Sequence, residues 1–232
     1  MRQLVIWAAA LWVGAMAAAA ADTRPVVVEL YTSQGCSSCP PADAFLTTLA
    51  PRDDVIALAL HVDYWDYIGW KDVFASPHHT RRQKAYAVAA GRRTVYTPQM
   101  IVGGKEHVVG NHPVDVGDLI RKHADQPAAV TLTLKRNGAQ VMISARMQRP
   151  MDEPLLVQLV RYTPEERITI RSGENDGRHL TYSNIVTEWR RLEEWDTRRP
   201  LALTAAAAGT QPIVVIVQRK GPGEILAAAR LR

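Results

Sequence analysis

Apolar positions follow two different rhythms along the 232-residue chain. From Pro25 to about Ala124, nearly continuous apolar runs alternate with helical spacing. Val26–Tyr31 is apolar on both sides of its alternation, as a buried parallel strand should be. Pro40 to Ala50 reads as a helix whose prolines lie in the first turn, where a missing N–H costs little, and Pro51 closes it. Val55–Val62 predicts a second buried strand, Gln99–Val102 a third that ends at Gly103-Gly104, and Val108-Val109 a fourth. Val114–His123 is a closing helix with Val116, Leu119 and Ile120 on one face. Between the second and third strands lies a polar-aromatic insert at about 63–93, in which Thr80–Ala90 has helical spacing. Strand and helix in alternation predict an α/β layered domain over residues 22–126.

After Asp125-Gln126-Pro127 the rhythm changes to period two. Val130, Leu132 and Leu134 alternate with polar residues, Asn137-Gly138 marks a hairpin turn, and Val141, Ile143 and Ala145 alternate back. Further short strands are predicted at Leu155–Tyr162, Ile168–Arg171, Leu180–Thr187, Ile213–Gln218 and Glu224–Ala229. Residues 127–232 therefore read as a small all-β, sandwich-like domain. This half offers no recognisable chemistry. Gly173-Glu174-Asn175-Asp176-Gly177 reads as a loop that lacks the ligand pattern of a calcium site.

The start of the chain has a pattern of its own. Arg2 is the single charge before an apolar stretch from Leu4 to Ala21, and Ala19 and Ala21 satisfy the small-x-small cleavage rule. Residues 1–21 are expected to be a signal peptide cleaved near Ala21, with an uncleaved anchor as the alternative. The mature chain is then periplasmic or secreted. Later apolar runs such as Ile213–Val217 are strand-sized, so no transmembrane domain is expected in the mature chain.

Hydrophobic residues at 47% and charged residues at 22% place the chain among globular proteins and exclude wholesale disorder. The net charge of +5 is dispersed, with arginine pairs at Arg81-Arg82, Arg92-Arg93, Arg190-Arg191 and Arg198-Arg199. That distribution reads as a solvated surface, and nucleic-acid binding is not expected. The sequence holds 2 cysteines, Cys36 and Cys39. A disulfide closing so short a loop constrains the unfolded chain little, so chemistry explains the pair better than stability. The pair follows a buried strand and precedes a helix start, where N–H groups and the positive helix end stabilise a thiolate, the attacking species in disulfide exchange. A zinc site remains an alternative for a C-x-x-C, but it would need two more ligands and there is no further cysteine.

The segment VVVELYTSQGCSSCPPADAFL resembles the active site of the thioredoxin superfamily, with Cys36-Ser37-Ser38-Cys39 as redox pair. Thr97-Pro98-Gln99-Met100-Ile101-Val102 is similar to that superfamily's cis-proline element, and Glu29 in Val28-Glu29-Leu30-Tyr31 stands at its buried-carboxylate position. One extra residue separates this strand from Cys36, a departure from the pattern. The insert His61-Val62-Asp63-Tyr64-Trp65-Asp66-Tyr67-Ile68-Gly69-Trp70, together with the β half, resembles a secreted bacterial family known as domain-of-unknown-function family 1223. That resemblance covers the mature chain and supplies no established reaction.

The implied fold class is an α/β thioredoxin-like domain followed by a small all-β domain. The implied function is an exported thiol–disulfide oxidoreductase that needs no cofactor. Cys36 is the nucleophile and Cys39 the resolving thiol, while Thr97, Pro98, Ser37 and Ser38 hold the substrate and Glu29 moves the resolving proton. The expected partners are protein or peptide thiol/disulfide clients and a membrane redox partner. A copper-binding or copper-delivery module using Cys36, Cys39 and His61 is the competing reading. Blander readings stand beside these: Glu29 as an edge-strand surface carboxylate, Pro98 as an ordinary trans proline, and His61 as a hydrogen-bonded structural histidine. His78-His79 fits a helix start, and Tyr64, Trp65, Tyr67 and Trp70 fit either packing of the insert or a client-contact surface.

Overall fold

A computed structural model describes residues 24–232. The expected signal peptide and its cleavage point lie outside the described residues.

The first half runs β1 (Val26–Thr32), α1 (Pro40–Leu49), β2 (Val55–His61), α2 (Pro77–Ala89), β3 (Gln99–Val102), β4 (Glu106–Val109) and α3 (Pro113–Ala124). A 3-10 turn at Asp66–Ile68 lies in the insert between β2 and α2. The second half is all strand: β5 (Val130–Asn137), β6 (Gln140–Met147), β7 (Leu155–Thr169), β8 (His179–Trp195), β9 (Leu201–Ala206), β10 (Ile213–Gln218) and β11 (Ile225–Leu231).

These strands do not divide as the sequence predicts. One 8-stranded mixed sheet has the order β11-β10-β7-β8-β2-β1-β3-β4 and so takes four strands from each half. The expected architecture, an α/β thioredoxin-like domain followed by a separate small all-β domain, is therefore incorrect. The described residues are mostly β, and the three α-helices among them dress one end of a sheet that runs through both halves. The physical reason lies in β2. Its residues are buried on both faces and at both edges, so it needs a neighbour on the side away from β1. That neighbour is β8, which lies parallel with Ala59 opposite Ile185, while the Asn184 side chain donates to the Ala57 carbonyl at 2.9 Å.

The remaining 3 strands, in the order β5-β6-β9, form a second sheet. Val130, Val141, Ile143, Ala145, Leu201 and Ala205 on its inner side pack against Leu155, Val157, Leu159, Val215 and Val217 of the large sheet. The Asn137-Gly138 signal is realised as the β5–β6 hairpin, where Asn137 pairs with Gln140 and Gly138 takes a φ of 56°. Around β1 the helices take opposite faces. Val28 and Leu30 pack with Leu46 of α1 and Val116 and Ile120 of α3. Val27 and Tyr31 pack with Tyr86 of α2, and also with Val160, Tyr162, Val214 and Ile216 from the second half.

The long β7–β8 hairpin is the largest departure from expectation. Two predicted short strands merge into β7, and β8 continues through the polar run to Trp195. Pro164 fits inside β7 because β10 pairs only as far as Arg161, leaving no N–H to supply beyond that point. The hairpin tip, residues 171–178, reaches back to the start of α1.

Candidate redox site

β1 ends at Thr32, and the chain turns through Ser33-Gln34-Gly35 before Cys36. The turn is closed by the Cys36 N–H donating to the Ser33 carbonyl at 3.2 Å and the Gly35 N–H donating to Ser33 Oγ at 3.1 Å. Gly35 lets the insert approach closely, since a Cβ there would stand 3.3 Å from the Trp65 carbonyl and 3.4 Å from Ile68. Cys36 and Cys39 form a disulfide, with Cys36 5% exposed and Cys39 fully buried. Cys39 is the N-cap of α1, and Pro40 and Pro41 fill the first helical positions. Prolines fit there because those N–H groups have no helical acceptor. They also remove donors, so the N–H groups between Cys36 and the helix belong to Ser37, Ser38 and Cys39. The Cys39 N–H is turned to the Cys36 carbonyl at 3.2 Å.

The Thr97–Pro98 peptide is cis, and Pro98 is buried at the entry to β3. A Cβ on Gly110 would stand 3.1 Å from Pro98 Cβ and 3.2 Å from Ala42 Cβ, so Gly110 packs closely on both Pro98 and the first turn of α1. Thr97 Oγ1 accepts a hydrogen bond from Trp65 Nε1 at 2.7 Å, so the insert holds this strand entry. Tyr67 stacks on Trp65 and is 80% exposed, whereas Tyr64 and Trp65 pack against the core behind α2.

Glu29 is not brought to the cysteines. Along β1 it alternates with Val28 and Leu30, which face α1, so its carboxylate lies on the opposite face of the sheet. There it accepts from Arg82 at 2.7 and 2.8 Å, Tyr31 at 3.0 Å and Tyr86 at 2.7 Å. Arg82 in turn lies 3.7 Å from the centre of the Trp189 ring. Burial, joined by the Glu29 charge, pushes the Tyr31 phenol well above its ordinary range.

The carboxyl that does sit near the cysteines is Asp43, which sequence reading passes over. It lies four residues after Cys39 on α1, on the same helix face, and its N–H donates to the Cys39 carbonyl at 3.1 Å. The side chain is buried, and neither oxygen completes a hydrogen bond of good geometry, although the Thr32 hydroxyl is close enough to act on it. Burial pushes this carboxyl up to about 7, with His61 and Thr32 pulling the other way and Asp72 adding to the rise.

His61 ends β2 and is fully buried. Its Nδ1 shares a hydrogen bond of 2.7 Å with Asp72 Oδ2, which also accepts from the Gln34 N–H at 2.8 Å. The ring meets Phe74 and Tyr182 edge-on, and Nε2 has no protein partner. The dyad thus ties the insert to the cysteine turn, and Trp70 Nε1 adds a bond to Gln34 Oε1 at 2.7 Å. His79 Nδ1 donates to the His61 carbonyl at 2.9 Å, and burial lowers its imidazole to about 4. Among the described residues no three His, Cys, Asp or Glu side chains converge as metal ligands.

The other residues missed by sequence reading come from the β7–β8 tip. Asn175 Nδ2 donates to the Gln34 carbonyl at 2.9 Å and the Cys36 carbonyl at 3.0 Å. The Ser37 N–H donates to Glu174 Oε2 at 3.3 Å. A polar turn 137 or more residues away gives no local sign of such contacts.

The frame is thus a mixed-sheet protein with a C-x-x-C disulfide at a helix start, enclosed by an insert and a distant hairpin. The chain belongs to the family of proteins of unknown function DUF1223, whose model matches residues 27–218. It is similar to the crystal structure of protein AGR_C_4864 from Agrobacterium tumefaciens, with 33% identity over 91% of this chain and 96% of that one, at a TM-score of 0.78. It shares a fold with HBP35 of Porphyromonas gingivalis, at 17% identity and a TM-score of 0.64, over 90% of this chain and 75% of that one. No curated protein matches it. Among the described residues no helix is long and apolar enough to cross a membrane.

Proposed function

We propose that the protein is an exported thiol–disulfide oxidoreductase that acts on protein or peptide disulfides through Cys36 and Cys39. The observation that carries this reading is the Cys36–Cys39 disulfide at the N-terminus of α1, with the unpartnered carboxyl of Asp43 one helical turn beyond Cys39. In the reducing direction, the Cys36 thiolate attacks a client sulfur. The client disulfide breaks, and one client sulfur leaves as thiolate while the other stays bound to Cys36. Above about pH 7, where Asp43 is ionised, Cys39 then gives its proton to that carboxylate and attacks the Cys36 sulfur, and the second client thiolate leaves with the proton from Asp43. The protein ends as the disulfide and the client as the dithiol, so two electrons have moved. In the oxidising direction the same steps run backwards, and the relative potentials of protein and client set the direction.

The test is an insulin-type disulfide reduction assay with the wild type, Cys36→Ser and Cys39→Ser, run beside a Cu(I) titration against a competing chelator. Turnover by the wild type and its loss in both variants is the expected result. Tight one-to-one copper binding that disappears in His61→Ala, with no turnover of insulin, would overturn it.

A further inference from the structure

The tip of the β7–β8 hairpin makes more bonds to the redox end than its own closure needs. The tip closes itself through Asp176 N–H to the Gly173 carbonyl, Gly177 N–H to the Ile170 carbonyl and Arg178 N–H to the Asn175 carbonyl. Beyond those, Ser172 Oγ donates to the Gly69 carbonyl at 2.5 Å, which fixes the tip to the insert. Asn175 is 1% exposed, with both amide hydrogens spent on the Gln34 and Cys36 carbonyls and its oxygen accepting from Arg178 at 3.0 Å. That amide is a pin between the two parts of the chain. Its effect is to hold the neighbouring Glu174 carboxylate on the Ser37 N–H.

The position matters because of what a Cys36 thiolate would require. Pro40 and Pro41 offer no N–H, and the Cys39 N–H is already committed to the Cys36 carbonyl. Of the N–H groups between Cys36 and the prolines, those of Ser37 and Ser38 are left, and the Glu174 carboxylate accepts from the first of them at 3.3 Å. Two anions near one helix start compete for the same donors and the same positive end of the dipole, and each opposes the other's ionisation.

We propose that Glu174 is a built-in competitor of the Cys36 thiolate, held in place by Asn175, and that it keeps the reduced pair less acidic and the couple more reducing. This rests on the thiol–disulfide reading above and names what tunes that site. Glu174 is a positioning and charge-setting residue and takes no part in bond making. When a client disulfide is attacked, the sulfur charge passes away from Cys36, so the competition costs least in the mixed disulfide.

The experiment follows alkylation of reduced Cys36 by iodoacetamide from pH 5 to 10 in the wild type, Glu174→Gln, Asn175→Ala and the double variant. Glu174 is exposed, so its variant keeps the fold. The midpoint in Glu174→Gln should fall by about half a pH unit, giving about threefold faster alkylation below the midpoint, and the dithiol should gain about threefold over the disulfide in a fixed glutathione buffer. Asn175→Ala removes no charge, yet it should move the midpoint the same way, because the tip departs with Glu174. The double variant should show no further shift. A Glu174→Gln profile superimposable on the wild type overturns the proposal, and so does an additive double variant. If Asn175→Ala does not fold, Glu174→Gln alone decides. The alkylation profile does not depend on client turnover, so a wild type inert towards insulin would sink the oxidoreductase reading while still reporting whether Glu174 acts on the thiol.

Discussion

A carboxyl buried without a good hydrogen bond holds its proton to high pH, and Asp43 has no other way to be neutral inside α1. Its ordinary value is 3.8 and its folded value is about 7. Between those limits the folded protein keeps a proton that the unfolded chain releases. Stability contributed by neutral Asp43 is therefore full below about 4 and falls as pH rises to about 7, by at most about 4 kcal/mol at 1.36 kcal/mol per pH unit. His79 has the opposite slope, because its imidazole is lowered to about 4 and the unfolded chain binds that proton first as pH falls below 6.5. Comparing Asp43→Asn with the wild type at each pH separates the two. Thermal melts of the oxidised protein, whose sulfurs do not titrate, should show the variant clearly more stable at pH 8 and no more stable at pH 4. Equal melting temperatures at both pH values would remove the late-titrating carboxyl from α1. In the reduced protein the same variant should slow release of the mixed disulfide while leaving alkylation of Cys36 untouched.

At the scale of elements, Glu29 ties elements together on the sheet face opposite α1, and the buried carboxyl on α1 itself is Asp43. Glu29 joins β1 to α2 through Arg82 and Tyr86, and Gln218 of β10 reaches the same Arg82 at 3.1 Å. Glu29→Gln keeps the shape and leaves the largely buried Arg82 guanidinium, 12% exposed, without its counter-charge, which costs up to about 3–5 kcal/mol. Urea unfolding should show that loss, while the exchange rate per folded molecule stays at the wild-type level. A variant of full stability, or one that is stable but slow in exchange, would contradict this placement. The contrast shows where sequence is readable. Cys36, Cys39 and Pro98 announce themselves by local chemistry, β1, β2 and β3 by runs of apolar residues, and α1 by the prolines at its two ends. Asp43 is hidden because a carboxylate in the first turn of a short helix is ordinary at a surface. Asn175 and Glu174 are hidden because their partners lie more than a hundred residues away. The strand β9 is hidden because Ala205 and its alanine neighbours carry too little side chain to mark one face.

Over the whole molecule, the sheet order makes a specific demand on folding. Four strands from each half share one sheet, and the core behind β1 mixes Ile56, Leu58 and Leu60 with Val160, Tyr162, Val186, Val214 and Ile216. A fragment ending at Gln126 would expose that apolar face and the far edge of β2. It would also lose Tyr182 from the His61 ring and Asn175 from the cysteine turn. The surface left bare is continuous and apolar, the kind that soluble monomers do not keep exposed. The intact chain should therefore unfold in one cooperative step, with tryptophan fluorescence and far-ultraviolet circular dichroism giving coincident urea curves. The fluorescence reports on both halves, since Trp65 and Trp70 belong to the insert and Trp189 and Trp195 to β8. The 24–126 fragment should show no cooperative transition and should aggregate or bind apolar dyes. A soluble fragment with its own sigmoidal unfolding curve, or two separated transitions in the intact chain, would mean that the shared sheet couples the halves too weakly to act as one unit.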